Sequence, residues 1–228
     1  MISSRTKEFL TGVKAELPLI IGVFPFGMIY VALALKAGIP PGQAQAMSAV
    51  IFAGSSQFIT TQLVDMATPG VVIILSIAVI NLRHALYSAS VTPYLRNLSP
   101  LWKGMLAYLL TDEDYAVTIV HYGQPGELIH KHWFFLGAGL TLWSSWQVST
   151  AAGIFLGAII PPGWSLDFTL ALTFIAMLVP ILKDRPSIAA AISAGITAIL
   201  FFNFPYKLGL VAAALVGIAI GMLLEGRK

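Results

Sequence analysis

The sequence predicts an all-α, polytopic membrane bundle of about eight transmembrane helices, with seven as the alternative and some of them discontinuous. Three observations predict it. Of 228 residues, 57% are hydrophobic and only 10% are charged, whereas a soluble domain is nearer a quarter charged. Charge-free apolar stretches recur at lengths close to the roughly 20 residues that cross a hydrocarbon core. Pro-Gly or charged turns separate them: Pro40-Pro41-Gly42, Pro69-Gly70, Pro161-Pro162-Gly163 and Lys183-Asp184-Arg185-Pro186. This balance excludes a soluble enzyme, a disordered chain and a nucleic-acid binder. The net charge of +3 is spread along the chain, so in a membrane protein it reports topology. With no Cys, disulfides, thiolate metal sites and thiol nucleophiles are excluded.

The segments follow in order. Residues 1–16 carry Arg5, Lys7 and Lys14. The apolar stretch after them lacks a small-residue cleavage site, so it reads as a first transmembrane helix, residues 17–35, and not as a removable signal. The second segment lies between Lys36 and Asp65, starting near Gln43. The third is 70–92, with Arg83 inside it. The fourth, 104–123, is interrupted by Asp112, Glu113 and Asp114. The fifth fills 133–160, the sixth 166–182, the seventh 187–204 and the eighth 208–224. Residues 1–228 thus read as one integral membrane domain, embedded in the lipid bilayer.

Basic residues test this order. With both termini in the cytoplasm, the inner segments hold eight Lys and Arg and the outer segments four: Lys36, Arg96, Lys103 and Lys207. If the fourth segment does not cross, the count reverses, so the positive-inside rule favours eight spans. The closing pair around Lys207 also fits a re-entrant hairpin.

Charge at mid-membrane costs at least about 2.5–3.5 kcal/mol per residue on insertion scales. Arg83 sits near the centre of segment three, in Asn81-Leu82-Arg83-His84, and Asp112 and Glu113 sit near the centre of segment four. Opposite signs predict a pair across neighbouring helices. Such a pair either fixes helix register or serves as a proton relay or substrate counter-charge. Asp112, Glu113 and Asp114 face different ways on a helix, so they cannot all meet Arg83. His84 is a further candidate for proton transfer.

Helix breakage is the second signal. Segment one contains Pro18 and then Phe24-Pro25-Phe26-Gly27; segment two contains Phe52-Ala53-Gly54-Ser55-Ser56-Gln57-Phe58. Proline removes a backbone hydrogen bond, and freed backbone groups are tolerated at that depth only inside protein or along a wet cavity. Secondary transporters build midplane sites from such broken helices. Pro25, Phe26, Gly27, Gly54, Ser55, Ser56, Gln57, Asn81 and Arg83 are therefore the candidate substrate-binding residues, and Asp112, Glu113 and His84 the candidate proton-coupling residues. Gly153 with Gly157, and Gly217 with Gly221, have the small-residue spacing of close helix packing. Trp102, Trp133 and Trp164 sit where interfacial anchors would. His130 and His132 alone make a poor metal site; no metal or cofactor is expected. Zincin, nucleophile-elbow and Walker motifs are missing.

Four ordered motifs carry a resemblance: Pro18-Leu19-x-x-Gly22-x-x-Pro25-Phe26-Gly27, Met47-Ser48 with Phe52 to Phe58, Asn81-Leu82-Arg83-His84, and Leu110-Thr111-Asp112-Glu113. Together they resemble the AzlC family, the large subunits of bacterial branched-chain amino acid exporters, over nearly the whole chain. The resemblance implies proton-driven export of valine, leucine, isoleucine and sometimes methionine across the cytoplasmic (inner) membrane. It also implies a small membrane subunit of the AzlD type as partner. The substrate is a zwitterion with an apolar side chain. Arg83 or amides near Gly54 to Gln57 would take its carboxylate, and Asp112 or Glu113 would take the ammonium or the coupled proton. Phe26, Phe52 and Phe58 would shape the pocket. The residues alone leave three rivals: a transporter of another small metabolite, a passive channel, and an intramembrane hydrolase using Ser55 or Ser56 with His84 or His121.

Overall fold

The computed structural model describes residues 4–124, 130–156, 182, 184–205 and 208–225. Among these there are nine helices and no strand: α1 (Ser4–Lys36), α2 (Pro41–Val50), α3 (Gly54–Asp65), α4 (Gly70–Leu95), α5 (Pro100–Leu109), α6 (Asp112–Tyr122), α7 (Lys131–Leu156), α8 (Arg185–Leu200) and α9 (Leu208–Glu225). α1, α4 and α9 are each long and apolar enough to cross a membrane. The architecture is a helical membrane bundle. The expected sixth segment, apart from Leu182, lies outside the described residues, as do Gly157 and Trp164.

The chain divides into two compact units, Met1–Asp65 with Asn81–Pro162, and Met66–Ile80 with Gly163–Lys228. In the first unit, α1 and α7 form the frame. A Cβ at Gly12 would lie 2.0 Å from the Phe134 carbonyl oxygen, and one at Gly137 would lie 2.1 Å from that of Phe9. Further along, Gly27 meets Ser149 and Gly153 meets Met28 and Val31. Numbers rise together on both helices, so they run parallel, backbone against backbone. This contact explains why α1 is one helix. The expected break at Pro25 to Gly27 does not occur, because packing on α7 holds the helix on both sides of Pro18 and Pro25.

The second and fourth segments differ from expectation in a larger way: each turns back at its break. The Tyr30 hydroxyl donates to the Ala44 carbonyl of α2 at 2.9 Å, while the Tyr30 ring lies 6.0 Å from Phe58 of α3. A continuous helix would separate those partners by about 20 Å. Gln57 of α3 likewise reaches back to Ser48 of α2. In the fourth segment, Trp102 at the start of α5 lies 5.3 Å from Trp133, and the Tyr122 hydroxyl at the end of α6 donates to the Lys131 carbonyl at 3.0 Å. Both ends of that segment therefore sit at the start of α7, where a straight span would hold them about 30 Å apart. Each segment is a re-entrant hairpin, not a crossing. The α2/α3 hairpin enters from the end where α1 finishes and the α5/α6 hairpin from the end where α7 begins. Because α1 and α7 are parallel, the two hairpins point at each other.

Local chemistry makes the turns. α2 starts at Pro41 and α5 at Pro100, at helix positions where proline's missing N–H costs nothing. The first hairpin reverses at Phe52, whose φ of 42° is left-handed. That conformation costs about 1–3 kcal/mol in a non-glycine residue; the ring packs against Tyr108, centroids 6.1 Å apart. The second hairpin reverses at Leu110-Thr111, both extended, and Thr111 caps α6 by accepting from the Asp114 amide at 3.5 Å. Asp112, Glu113 and Asp114 then fill the first turn, where the helix dipole favours negative charge.

In the second unit, α8 is capped by Asp184, which accepts from the Ser187 amide at 2.8 Å. It packs against α9: Gly209 faces Phe201, while Gly217 and Gly221 face Ala190 and Ala194. That register is antiparallel. The small-residue face of α9 is thus occupied within the chain.

Candidate substrate site at the tips of two opposed hairpins

The first turn of α3, Gly54-Ser55-Ser56, holds no acidic residue. Helix geometry leaves its first amides without intrahelical acceptors; the first bond of the helix runs from the Gln57 amide to the Ala53 carbonyl. A neutral network fixes this turn in place. The Gln57 amide nitrogen donates to the Ser48 hydroxyl at 2.9 Å, and its oxygen accepts from the Trp146 indole at 3.1 Å. Ser48 also pairs with Thr150 at 2.8 Å, and Gln147 donates to the Ser48 carbonyl at 3.0 Å. Gln57, Ser48 and Thr150 are fully buried. Phe26 is buried too, 4.4 Å from the Phe58 ring and 6.0 Å from Trp146. Gly27 abuts Ser149, and Pro25 is exposed. These residues build and brace the tip, so of the first-hairpin candidates only Gly54, Ser55 and Ser56 present the helix start itself.

The tip of the other hairpin is ionic. Asp112 forms an ion pair with Arg83 of α4. Two residues earlier, Asn81 accepts from the Ser56 hydroxyl at 2.6 Å. One turn of α4 therefore ties together the start of α3 and the start of α6. Tyr108 makes a second tie. Its hydroxyl donates to the Ala49 carbonyl, freed where α2 ends, and accepts from the Trp143 indole at 2.7 Å. His84 stays on its own helix, 3.3 Å from the Asn81 carbonyl and edge-on to Tyr87. Tyr87 in turn stacks on Tyr115 at 4.5 Å, continuing the α4/α6 contact. Glu113 is half-buried.

A cavity of about 250 Å³ opens beside this tip. Val91, Leu95, Leu106, Leu110 and Phe135 give it apolar walls, and Arg96 and Lys103 supply its cations. Leu110 sits at the α5/α6 turn, while Lys103 lies seven residues earlier on α5. The cavity thus extends about 10 Å along that helix, from the basic end of the unit toward the acidic turn.

Sequence reasoning missed two groups. Glu16, assigned to the charged segment before the first span, lies within α1 and is fully buried, both carboxylate oxygens lacking partners among the described residues. Asp114 is fully buried as well and lies within electrostatic reach of Glu16. A charge-free criterion for spans hid Glu16. Thr111 followed by three acids is the signature of a helix start, and it could have located the break. Neither Ser55 nor Ser56 bonds to a histidine among the described contacts; His121 pairs with Glu8 at 3.2 Å. No group of three His, Cys, Asp or Glu among the described residues could hold a metal.

The chain is similar to the inner membrane protein YgaZ of Escherichia coli K12, 26% identical over 94% of this chain and 88% of that protein. An uncharacterized membrane protein of Archaeoglobus fulgidus is 29% identical over 94% of each chain. One from Helicobacter pylori is 26% identical over 66% of this chain and 67% of its own. No solved structure matches. The family profile described as AzlC protein matches residues 18–160, which include α7, the second half of α1, both hairpins and the Arg83–Asp112 pair. The chain belongs to the AzlC family of membrane proteins.

Proposed function

We propose that this protein is the large subunit of a secondary transporter that exports branched-chain amino acids: valine, leucine, isoleucine and also methionine. Export is driven by the proton gradient, with a small AzlD-type membrane subunit as partner. The observation that carries the reading is the meeting of two helix starts on one turn of α4, one with bare amides and one with carboxylates. A zwitterion needs both. The amides of Gly54, Ser55 and Ser56 suit its carboxylate, with Arg83 beside them. Asp112 and Glu113 suit its ammonium. The apolar cavity suits a branched side chain, and its cations draw in the carboxylate end. Phe26 and Gln57 act by holding the first tip rigid.

The membrane reading is the cytoplasmic membrane with the N-terminus inside. In the first unit, Arg5, Lys7, Lys14, Arg96, Lys103 and Lys131 gather at the end where α7 begins, against Lys36 at the other. Six against one is a stronger bias than eight crossings gave, because the re-entrant turn of α5/α6 moves Arg96 and Lys103 to the inner side. The cavity then opens to the cytoplasm, where an exporter loads.

The test is efflux of labelled valine and leucine from proteoliposomes, with and without the small subunit, across an imposed pH gradient. Gradient-accelerated efflux is expected. Efflux indifferent to the gradient, or none from verified folded protein, would overturn the proposal.

A further inference from the structure

The seam between α1 and α6 carries a row of ionisable groups that the substrate site does not use. On α6, Asp114, Thr118 and His121 recur at helical spacing and face α1. On α1, Glu8 and Glu16 lie two turns apart on one face. Glu8 meets His121 at 3.2 Å near the basic end, and both side chains are partly exposed there. Deeper along the seam, Thr118 donates to Asp114 Oδ1 at 3.5 Å. Asp114 Oδ2 and both oxygens of Glu16 lack partners among the described residues, although both side chains are fully buried. Glu113 is within electrostatic reach of Glu16 and Asp114. The other groups facing the pair are few. α6 adds Tyr122, and α7 carries no titratable side chain along residues 136–146. α2 has none, and α3 has only Asp65 at its far end.

Two buried carboxylates with three of their four oxygens unpartnered are costly as anions, and no cation among the described residues answers them. A proton bound by the pair lowers that cost. We propose that Glu16 and Asp114 are the protein's interior proton-binding pair, loaded from the substrate-site side, where Glu113 lies, and emptied along the α1/α6 seam through Thr118, His121 and Glu8. The proton leaves the pair past Thr118 and crosses about one helical turn, a distance one bridging water spans, to the His121–Glu8 pair. From there it passes to water at the basic end, the side into which an inward proton gradient drives it. Nothing but the proton changes place. This assignment deepens the proton-coupled reading above and separates its parts: Arg83 and Asp112 hold substrate charge, while Glu16 and Asp114 carry the proton.

The first test needs no transport. Infrared spectra of the purified chain at neutral pH should contain a protonated carboxyl C=O band. Glu16→Gln and Asp114→Asn should each remove it, and Thr118→Val should shift it by removing the hydrogen bond to Asp114. A wild-type spectrum without that band, or a band indifferent to all three changes, overturns the proposal. So does a band that moves when sodium replaces potassium at fixed pH, since the occupant would then be a metal cation. In proteoliposomes, Glu16→Gln should keep leucine exchange at equal pH and lose its acceleration by a gradient. Retained acceleration overturns the proposal. If the wild type exchanges no amino acid yet shows the band, the substrate reading fails and the proton pair stands.

Discussion

The two re-entrant hairpins share a shape and differ in chemistry. Each has a helix of ten residues followed by one of eleven or twelve, and each turns at mid-span with a helix start at its tip. The α2/α3 tip is neutral and nearly saturated: Gln57, Ser48, Trp146, Gln147 and Thr150 answer one another's hydrogen bonds. The α5/α6 hairpin holds three acids in one turn, one neutralised by Arg83 and one buried without a full set of partners. A saturated network has one low-energy arrangement. An unsaturated ionic one changes with proton or ligand, and a transporter needs such an element. The first hairpin is therefore the fixed wall of the site and the second the responsive one.

The largest effect should come from breaking the ionic tip. Asp112→Asn leaves Arg83 without its counter-charge. Removing one member of a buried pair costs about 3–5 kcal/mol, and less here because each side chain keeps roughly a fifth of its exposure. Folded yield in detergent should fall and leucine flux should vanish. The double variant Arg83→Gln, Asp112→Asn should regain thermal stability but not flux. A double variant as unstable as the single would show that the pair is not the tie between α4 and α6.

A smaller effect should come from the neutral tip. Gln57→Leu strands the Trp146 indole and leaves the Ser48 hydroxyl only its bond to Thr150; the unsatisfied indole costs about 1–3 kcal/mol, and nearer the low end inside a membrane protein. Because no charge is involved, the loss in unfolding temperature should be equal at pH 6 and pH 8. A pH-dependent loss would mean that the first hairpin is coupled to the titrating groups of the second.

The contrast also explains what was legible in the sequence. Composition and charge-free runs revealed a helical membrane bundle, and Arg83 against Asp112 stood out because opposite charges in lipid need each other. Hairpins were not legible as such. A run of twenty apolar residues reads alike whether it crosses or turns back, and what decides is tertiary: Tyr30 gripping both arms of one hairpin, Trp133 and Lys131 receiving both ends of the other. Pro25 misled for the same reason. Proline lowers a helix's own stability, but contact with α7 outweighs that loss. The Gln57 network joins residues about ninety to a hundred positions apart, beyond the reach of any local pattern.

The smallest effect should appear at the cavity mouth. Arg96 and Lys103 are exposed, so their field acts through water and is screened by salt. They neither close the site nor hold the fold; they raise the local concentration of a carboxylate near the responsive hairpin. Replacing both by Gln should raise the half-saturating leucine concentration a few-fold, well short of full electrostatic steering because both side chains are exposed and screened, and leave the maximal rate unchanged. The same rise should appear in the wild type when salt is increased, and the double variant should lose that salt dependence. Equal salt dependence in both proteins would place the attraction elsewhere, and a fall in maximal rate would draw these cations into the moving hairpin. The first outcome would break the assignment of the cavity as the loading side, whereas the second would sharpen the contrast between a fixed and a responsive tip.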